Sequence, residues 1–178
     1  MGEKDYKLGE IMITEDKIRE RAAEIGRRIS EDAGGEDVLL IGILKGAVMW
    51  MCDVIKHISV PVKIDFMAVS SYGASTKSSG VVRIFKDLDA AIEDKNVIIV
   101  EDIVDSGITL NYLKDSLKAR KPKSLKICAL LDKPAGRRTE IDIDYKGFTV
   151  DDVFIVGYGL DVNQQYRNLP YITSVVTD

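Results

Sequence analysis

The chain has 178 residues, of which 46% are hydrophobic, so it fits one soluble domain with a sizeable core rather than two domains. Its 29 acidic and 25 basic residues give a net charge of -4 at pH 7, which leaves no sequence-wide basic field for nucleic acid. The single histidine, His57, excludes HExxH sites and multi-histidine metal centres.

Cysteine spacing and the amino terminus bear on the compartment. Cys52 and Cys128 are far apart and lack CxxC spacing, so we interpret them as small core residues in a reducing environment rather than as a zinc site or disulfide. The first five residues lack the apolar core of a signal peptide, and no apolar run reaches the length of a membrane span. We therefore expect a cytoplasmic protein with no membrane partner.

The first elements are a covering helix and a buried strand. Apolar residues at helical intervals predict a helix over 16–29 that starts near residues 14–15. The continuous apolar run Val38–Leu44 is typical of a central parallel strand, and an apolar helix over 47–55 follows it. Lys45-Gly46, between strand and helix, is either an exposed turn or part of a ligand site at the carboxyl edge of the sheet.

A long polar stretch follows the next strand. The strand is predicted over 62–70, and the eleven residues Ser70–Gly80 then have almost nothing to bury. Composition alone makes this stretch a flexible connector, but long loops within compact domains are often active-site lids. Residues 81–85 are predicted to return as the second arm of a hairpin.

The stretch Val97–Leu110 predicts the centre of a site. Four apolar residues form a buried strand, followed by two carboxylates, Glu101 and Asp102, here called the acid pair. Residues 105–109, here called the anion turn, offer backbone N–H groups, two hydroxyls and a glycine at the start of a helix, which favours a phosphate. The stretch is also compatible with an acidic strand end and an ordinary helix cap.

An acid pair beside a phosphate would repel it unless hydroxyl groups or a metal ion meet its charge. A phosphorylated sugar bound with Mg²⁺ supplies all of these groups, because Mg²⁺ takes carboxylate and phosphate oxygens together. The sequence therefore favours a sugar phosphate and magnesium at the carboxyl edge of a parallel sheet.

The second half of the chain repeats the strand and turn pattern. Leu110, Leu113, Leu117 and Ala119 form the apolar stripe of a helix, and the strand 125–131 follows. Lys133 comes after that strand, at the same edge as Lys45 and the anion turn. The stretch 153–161 is predicted as the last core strand, and its Phe154 either packs in the core or stacks on a base.

Several segments together resemble one protein family. Val100–Thr109 looks like the phosphoribosyl pyrophosphate (PRPP) motif of the type I phosphoribosyltransferases. Lys133, Phe154–Asp161 and Tyr166–Pro170 are similar to the purine site and carboxyl-terminal hood of the hypoxanthine-guanine branch. The resemblance extends over about residues 43–170.

This resemblance implies an α/β fold: a central, mainly parallel twisted sheet flanked by helices, with a small hood and a long flexible lid hairpin. It implies one phosphoribosyltransferase domain over 1–178. The lid would cover about 70–81, and the hood would comprise the amino-terminal segment and about 134–178. A cis peptide is expected at Leu44–Lys45, as is frequent in this family's Leu-Lys-Gly loop.

The resemblance also assigns roles to individual residues. Asp105 would be the general base near purine N7, Lys133 the donor to the 6-oxo group, and Phe154 the stacking ring. Arg167 and Lys45 would meet pyrophosphate, while Ser71 and Tyr72 would belong to the lid. The implied magnesium-binding residues are Glu101, Asp102 and Asp161. The implied substrate-binding residues are Lys45, Gly46, Ser71, Tyr72, Glu101, Asp102, Asp105, Ser106, Gly107, Ile108, Thr109, Lys133, Phe154, Ile155, Asp161 and Arg167.

The function that the resemblance implies is purine salvage, with Mg²⁺-dependent transfer of 5-phosphoribosyl from PRPP to hypoxanthine or guanine. The products would be IMP or GMP and pyrophosphate, and analogy suggests a homodimer or homotetramer. One alternative is a non-catalytic PRPP-sensing regulator, which is disfavoured because the chain shows no basic stripe for nucleic acid. A phosphoribosyltransferase for another base is the second alternative.

Overall fold

The computed structural model describes residues 6–71 and 82–176. Within these ranges the chain forms two sheets, three α-helices and a short 3-10 turn over Pro134–Gly136. The strands are β1 (Lys7–Ile13), β2 (Val38–Leu44), β3 (Val62–Ser71), β4 (Val82–Lys86), β5 (Asn96–Val104), β6 (Ser124–Asp132), β7 (Tyr145–Thr149), β8 (Ile155–Val156) and β9 (Ile172–Val176). The helices are α1 (Glu15–Ala33), α2 (Val48–Ile55) and α3 (Ile108–Lys118).

The larger sheet has the strand order β4-β3-β2-β5-β6-β7. All its neighbouring pairs are parallel except β3 and β4, which form an antiparallel hairpin. The strand β2 lies between β3 and β5, and every residue from Val38 to Ile43 is buried, which explains its unbroken apolar sequence. The predicted mainly parallel sheet is confirmed.

Helices cover the two faces of this sheet. On one face, α1 and α2 pack against Leu40 and Val100, and on the other face α3 packs against Ile41 and Ile99. Thr14 caps α1 by accepting a hydrogen bond from the backbone N–H of Lys17 at 3.4 Å. The buried residues of α1 are Ile18, Ala22, Ile25, Gly26 and Ile29, so the predicted apolar stripe faces the core. Each buried isoleucine contributes about 1.5–3 kcal/mol relative to an exposed one.

The smaller sheet is antiparallel and joins the two ends of the chain in the order β1-β9-β8. The predicted core strand over 153–161 is therefore wrong in both length and place. Only Ile155–Val156 is extended, because the backbone turns to positive φ at Gly157, Tyr158 and Gly159. The last strand of the large sheet is instead β7, which the sequence analysis did not predict.

Three smaller corrections concern single residues and one strand. Ala119 lies at the end of α3 and is exposed, so it is not part of the buried stripe. Cys128 is buried, but Cys52 is exposed on α2 and is not a core residue. The strand β1 precedes the covering helix and was also not predicted.

Among residues 6–71 and 82–176, no helix is both long and apolar enough to cross a membrane.

Candidate active site

The acid pair lies near the carboxyl end of β5, in the middle of the large sheet. The strand continues to Val104, so Glu101 and Asp102 are part of it, whereas the sequence analysis placed them after its end. Both residues line a cavity of about 420 Å³ at this edge of the sheet. The strand pairs with β2 and β6 on its two sides, so the acid pair is held within the sheet rather than at its margin.

The acid pair is buried, and burial disfavours the ionised form of both carboxyl groups. Burial, reinforced by the neighbouring Asp102 carboxylate, raises the pKa of Glu101 well above its usual range. Burial also raises the pKa of Asp102, although its Oδ1 atom accepts a hydrogen bond from the Ile103 N–H at 2.7 Å. The Oε2 atom of Glu101 is buried without a hydrogen-bond partner among the described residues. Such an unpaired buried acid is costly unless a ligand meets it.

The anion turn connects β5 to α3. Gly107 has φ of +77°, and a Cβ atom there would lie 2.6 Å from the carbonyl oxygen of Thr139, so both conformation and space require glycine. The Ser106 Oγ atom accepts a hydrogen bond from the N–H of Ile108, the first residue of α3, at 3.4 Å. The turn therefore places backbone N–H groups at a helix N-terminus beside the cavity, an arrangement suited to an anion.

The loop between β2 and α2 lies directly against the acid pair. Its Leu44–Lys45 peptide bond is cis, which confirms the prediction made for this bond. A Cβ atom on Gly46 would lie 1.5 Å from the Oδ2 atom of Asp102, so only glycine permits this approach. The Lys45 Nζ atom donates to the Gln164 side-chain oxygen at 3.2 Å.

The segment after β8 brings a second cation to the cavity. Arg167 forms an ion pair with Asp161 at 2.6 Å and donates to the Gly159 carbonyl at 2.6 Å. It also donates to the Gln164 side chain at 3.3 Å, so Gln164 links Lys45 to Arg167. Gln164 was not predicted as a site residue, and nothing in the sequence around it points to this role.

Lys133 follows β6 at the adjacent rim. Its Nζ atom lies 2.7 Å from Asp152 Oδ1 and 3.8 Å from Asp105 Oδ2, and it donates to the Val153 carbonyl at 3.4 Å. Phe154 is 53% exposed, which excludes the interpretation that it packs in the core. Ile155 is buried in β8.

The cavity brings together most of the predicted site residues. Ile108, Lys133, Phe154 and Ile155 do not line it, although Lys133 contacts Asp105 at its rim. Tyr72 and the Ser71 side chain lie outside the described part of the chain, and only the backbone pairing of Ser71 with Val82 is described. The predicted residues that line the cavity are Lys45, Gly46, Glu101, Asp102, Asp105, Ser106, Gly107, Thr109, Asp161 and Arg167.

The donor set of the cavity suits a hard cation such as Mg²⁺, because it consists of carboxylate oxygens, one of them unpartnered. Glu101, Asp102 and Asp161 all line the cavity. In the described ranges, however, no three His, Cys, Asp or Glu side chains are grouped closely enough to hold a metal by themselves. A cation here would need further oxygens from a bound ligand or water, as Mg²⁺ sites on phosphate substrates commonly do.

Comparison with known proteins agrees with this geometry. Residues 8–163 match the phosphoribosyl transferase domain. The chain is 49% identical to the hypoxanthine-guanine phosphoribosyltransferase of Bacillus subtilis, over 94% of this chain and 93% of that protein. A crystal structure of a hypoxanthine-guanine phosphoribosyltransferase from Bacillus anthracis superimposes with a TM-score of 0.92 at 46% identity, covering 96% of this chain and all of that one.

A further relative is longer. The chain is 51% identical to the bifunctional protein TilS/HprT of Listeria monocytogenes, over 93% of its own residues. It spans only about a quarter of that protein, 26% of its length.

Proposed function

The chain belongs to the hypoxanthine-guanine phosphoribosyltransferases, transferases of purine salvage, and we propose that it transfers the 5-phosphoribosyl group of PRPP to hypoxanthine or guanine. The products would be IMP or GMP and pyrophosphate. One observation carries the proposal: the acid pair, the anion turn, Lys45 and Arg167 line a single cavity. This cavity combines groups suited to a phosphate, to ribose hydroxyls and to a diphosphate.

The anion turn would hold the 5-phosphate through backbone N–H groups and the hydroxyls of Ser106 and Thr109. The acid pair would accept hydrogen bonds from the ribose hydroxyls, which gives the unpartnered Glu101 oxygen a role. As pyrophosphate leaves, positive charge develops on the ribose ring, and these two carboxylates stabilise it. Glu101, Asp102 and Asp161 would hold Mg²⁺, which when bound would neutralise charge on the pyrophosphate.

The leaving group would be held by the two cations of the cavity. Lys45 donates to Gln164, and Arg167 is paired with Asp161. Pyrophosphate would bind Lys45 and Arg167 in place of these partners. Asp161 would then be available to the base and to the metal. The backbone of Gly46 lies against Asp102, where it would also face the diphosphate.

The purine would bind on the Lys133 side of the cavity. Lys133 would donate to the 6-oxo group, Phe154 would stack on the ring through its exposed face, and the backbone of Ile155 would contact the purine edge. Asp105, beside Lys133, would accept the purine proton as the ring nitrogen attacks the anomeric carbon.

Several features of this proposal extend beyond the described site. A lid carrying Ser71 and Tyr72 would exclude water from the ribosyl intermediate. We further propose a single domain with the lid at about 70–81 and a hood that includes the small sheet. A homodimer or homotetramer and a cytoplasmic location stay predictions.

The test is to incubate the protein with PRPP, Mg²⁺ and one base at a time, using hypoxanthine, guanine, xanthine, adenine and uracil. We expect nucleotide formation with hypoxanthine or guanine, and loss of it when a chelator removes Mg²⁺. Nucleotide formation only with adenine or uracil would contradict the assigned base class. PRPP binding without any nucleotide formation would contradict catalysis and favour a PRPP-sensing regulator.

A further inference from the structure

Arg137 contacts the backbone at the start of the anion turn and does not line the cavity. Its Nε atom donates to the carbonyl oxygen of Asp105 at 3.0 Å, and its Nη2 atom donates to that of Val104 at 3.1 Å. The same Nη2 atom forms an ion pair with Asp132, at the end of β6. The Arg137 and Asp132 side chains are only 17% and 11% exposed, so solvent screens this ion pair little.

The backbone after Arg137 continues the same support. The N–H groups of Arg138 and Thr139 both donate to the carbonyl of Ser106, at 3.0 and 3.1 Å. Three successive carbonyls, at residues 104, 105 and 106, therefore accept hydrogen bonds from Arg137 or from the backbone that follows it. Thr139 also contacts Gly107 so closely that no Cβ atom fits between them.

Holding these carbonyls fixes where the N–H groups of the turn point. In a trans peptide the C=O of one residue and the N–H of the next point in opposite directions. The carbonyls of Asp105 and Ser106 point toward their donors in residues 137–139. The N–H groups of Ser106 and Gly107 therefore point away from those residues. Ser106 and Gly107 both line the cavity.

We propose that Arg137 is a positioning residue that orients the anion turn and Asp105 for phosphoribosyl transfer. It acts through backbone carbonyls and contacts no substrate. This inference rests on the proposed function, because the role of the turn in holding phosphate is itself proposed.

Asp132 offers a matched control within the same ion-pair cluster. Its Oδ2 atom is paired with Lys146 at 3.0 Å, and none of the contacts described for the Lys146 ammonium reach the anion turn. Arg137→Met and Lys146→Met therefore each remove one cation from Asp132, but only the first also removes the side-chain donor to the Asp105 carbonyl of the anion turn. In Arg137→Lys a single ammonium can retain the ion pair but cannot reproduce the planar guanidinium fork.

The experiment measures kcat and both KM values for the wild type and the three variants, together with binding of ribose 5-phosphate by calorimetry. For Arg137→Met we expect kcat/KM for PRPP to fall about 10- to 100-fold, with weaker ribose 5-phosphate binding and a smaller change in KM for hypoxanthine. Arg137→Lys should be intermediate. Lys146→Met should stay close to wild type, even where its melting temperature falls as far as that of Arg137→Met.

Unchanged PRPP kinetics and ribose 5-phosphate binding in Arg137→Met would overturn the proposal. Equal losses in Lys146→Met would also overturn it, because they would show a general effect of Asp132. If Arg137→Met does not fold, the comparison of Arg137→Lys with Lys146→Met gives the same decision. If the wild type forms no nucleotide with any base, the proposed function fails, while the ribose 5-phosphate arm still tests the support of the turn.

Discussion

Lys133 Nζ lies 3.8 Å from Asp105 Oδ2, although the two residues belong to turns that follow different strands. Both turns end at the carboxyl edge of the large sheet, because β5 and β6 are parallel neighbours. The contact places an ammonium group beside the carboxylate proposed as the base. A 6-oxopurine with an N7 proton offers an acceptor to the first group and a proton to the second.

Replacing Asp105 with asparagine should therefore affect turnover more than binding. Asparagine keeps the size of the side chain but cannot accept the purine proton at neutral pH. We expect kcat to fall about 10²- to 10⁴-fold with a much smaller change in PRPP affinity, measured by steady-state kinetics and by calorimetry. Equal losses in both quantities would contradict the general-base role. Asp152→Asn, which removes the other carboxylate beside Lys133, is the matched control and should not reduce kcat comparably.

Truncating Lys133 should weaken use of the purine and spare PRPP. A hydrogen bond from a charged donor contributes about 1.5–3 kcal/mol, so Lys133→Ala should raise KM for hypoxanthine or guanine about 10- to 100-fold. PRPP binding in the absence of base should be unchanged, because Lys133 does not line the cavity that contains the acid pair and the anion turn. Purine kinetics identical to wild type would show that the base binds elsewhere.

Much of the fold could be predicted because its central strands are strongly patterned. The strand β2 and the first half of β5 are continuous apolar runs, and the α1 stripe has regular helical spacing after Thr14. The strand β7 has five residues, including a glycine and an exposed lysine, and such a short sequence carries little periodic signal. The strand predicted over 153–161 contains the two-residue β8, but the local pattern indicated neither its short length nor its pairing with β9.

Whether a site residue could be predicted also depends on whether its contacts are local or long-range in the sequence. The acid pair and the anion turn are only two residues apart in the sequence, so their chemistry could be recognised before the fold was known. The contact of Lys45 with Gln164 joins residues 119 positions apart, and Arg137 reaches Asp105 across 32 positions. These contacts depend on the arrangement of strands at the sheet edge. The roles of Gln164 and Arg137 therefore could not be predicted from sequence spacing alone.

The buried carboxyl group of Glu101 should make the protein without bound ligand less stable at neutral pH than a variant with an uncharged amide at this position. Because burial raises the pKa of Glu101 in the folded state, the folded chain holds this proton more tightly than the unfolded chain does. The stabilisation is complete below the unfolded value near 4.5 and is lost as the pH rises through the folded-state pKa. Glutamine mimics the protonated acid and avoids this loss.

We therefore expect Glu101→Gln to melt a few degrees above the wild type at about pH 8 in the presence of a chelator, and at nearly the same temperature at about pH 4. The same variant should lose nucleotide formation, so greater stability would accompany lower activity. Glu20→Gln, on the exposed side of α1, is the control and should change neither property. A lower melting temperature for Glu101→Gln at about pH 8 would contradict the unpaired burial of this carboxyl group.

Gly107→Ala should damage both stability and phosphate binding, and Gly34→Ala allows the two effects to be separated. Both glycines have positive φ, +77° and +58°, so alanine introduces backbone strain of about 1–2 kcal/mol at either position. Only Gly107 is also in close contact with Thr139, whereas a Cβ atom on Gly34 would have nothing within 4 Å.

We expect Gly34→Ala to lower the free energy of unfolding by about the cost of the backbone strain and to leave KM for PRPP unchanged. Gly107→Ala should cost more in chemical denaturation and raise KM for PRPP about 10-fold or more, because the turn must move away from Thr139 and misdirect its N–H groups. Equal stability losses with normal PRPP kinetics in both variants would mean that the contact with Thr139 does not shape the anion turn.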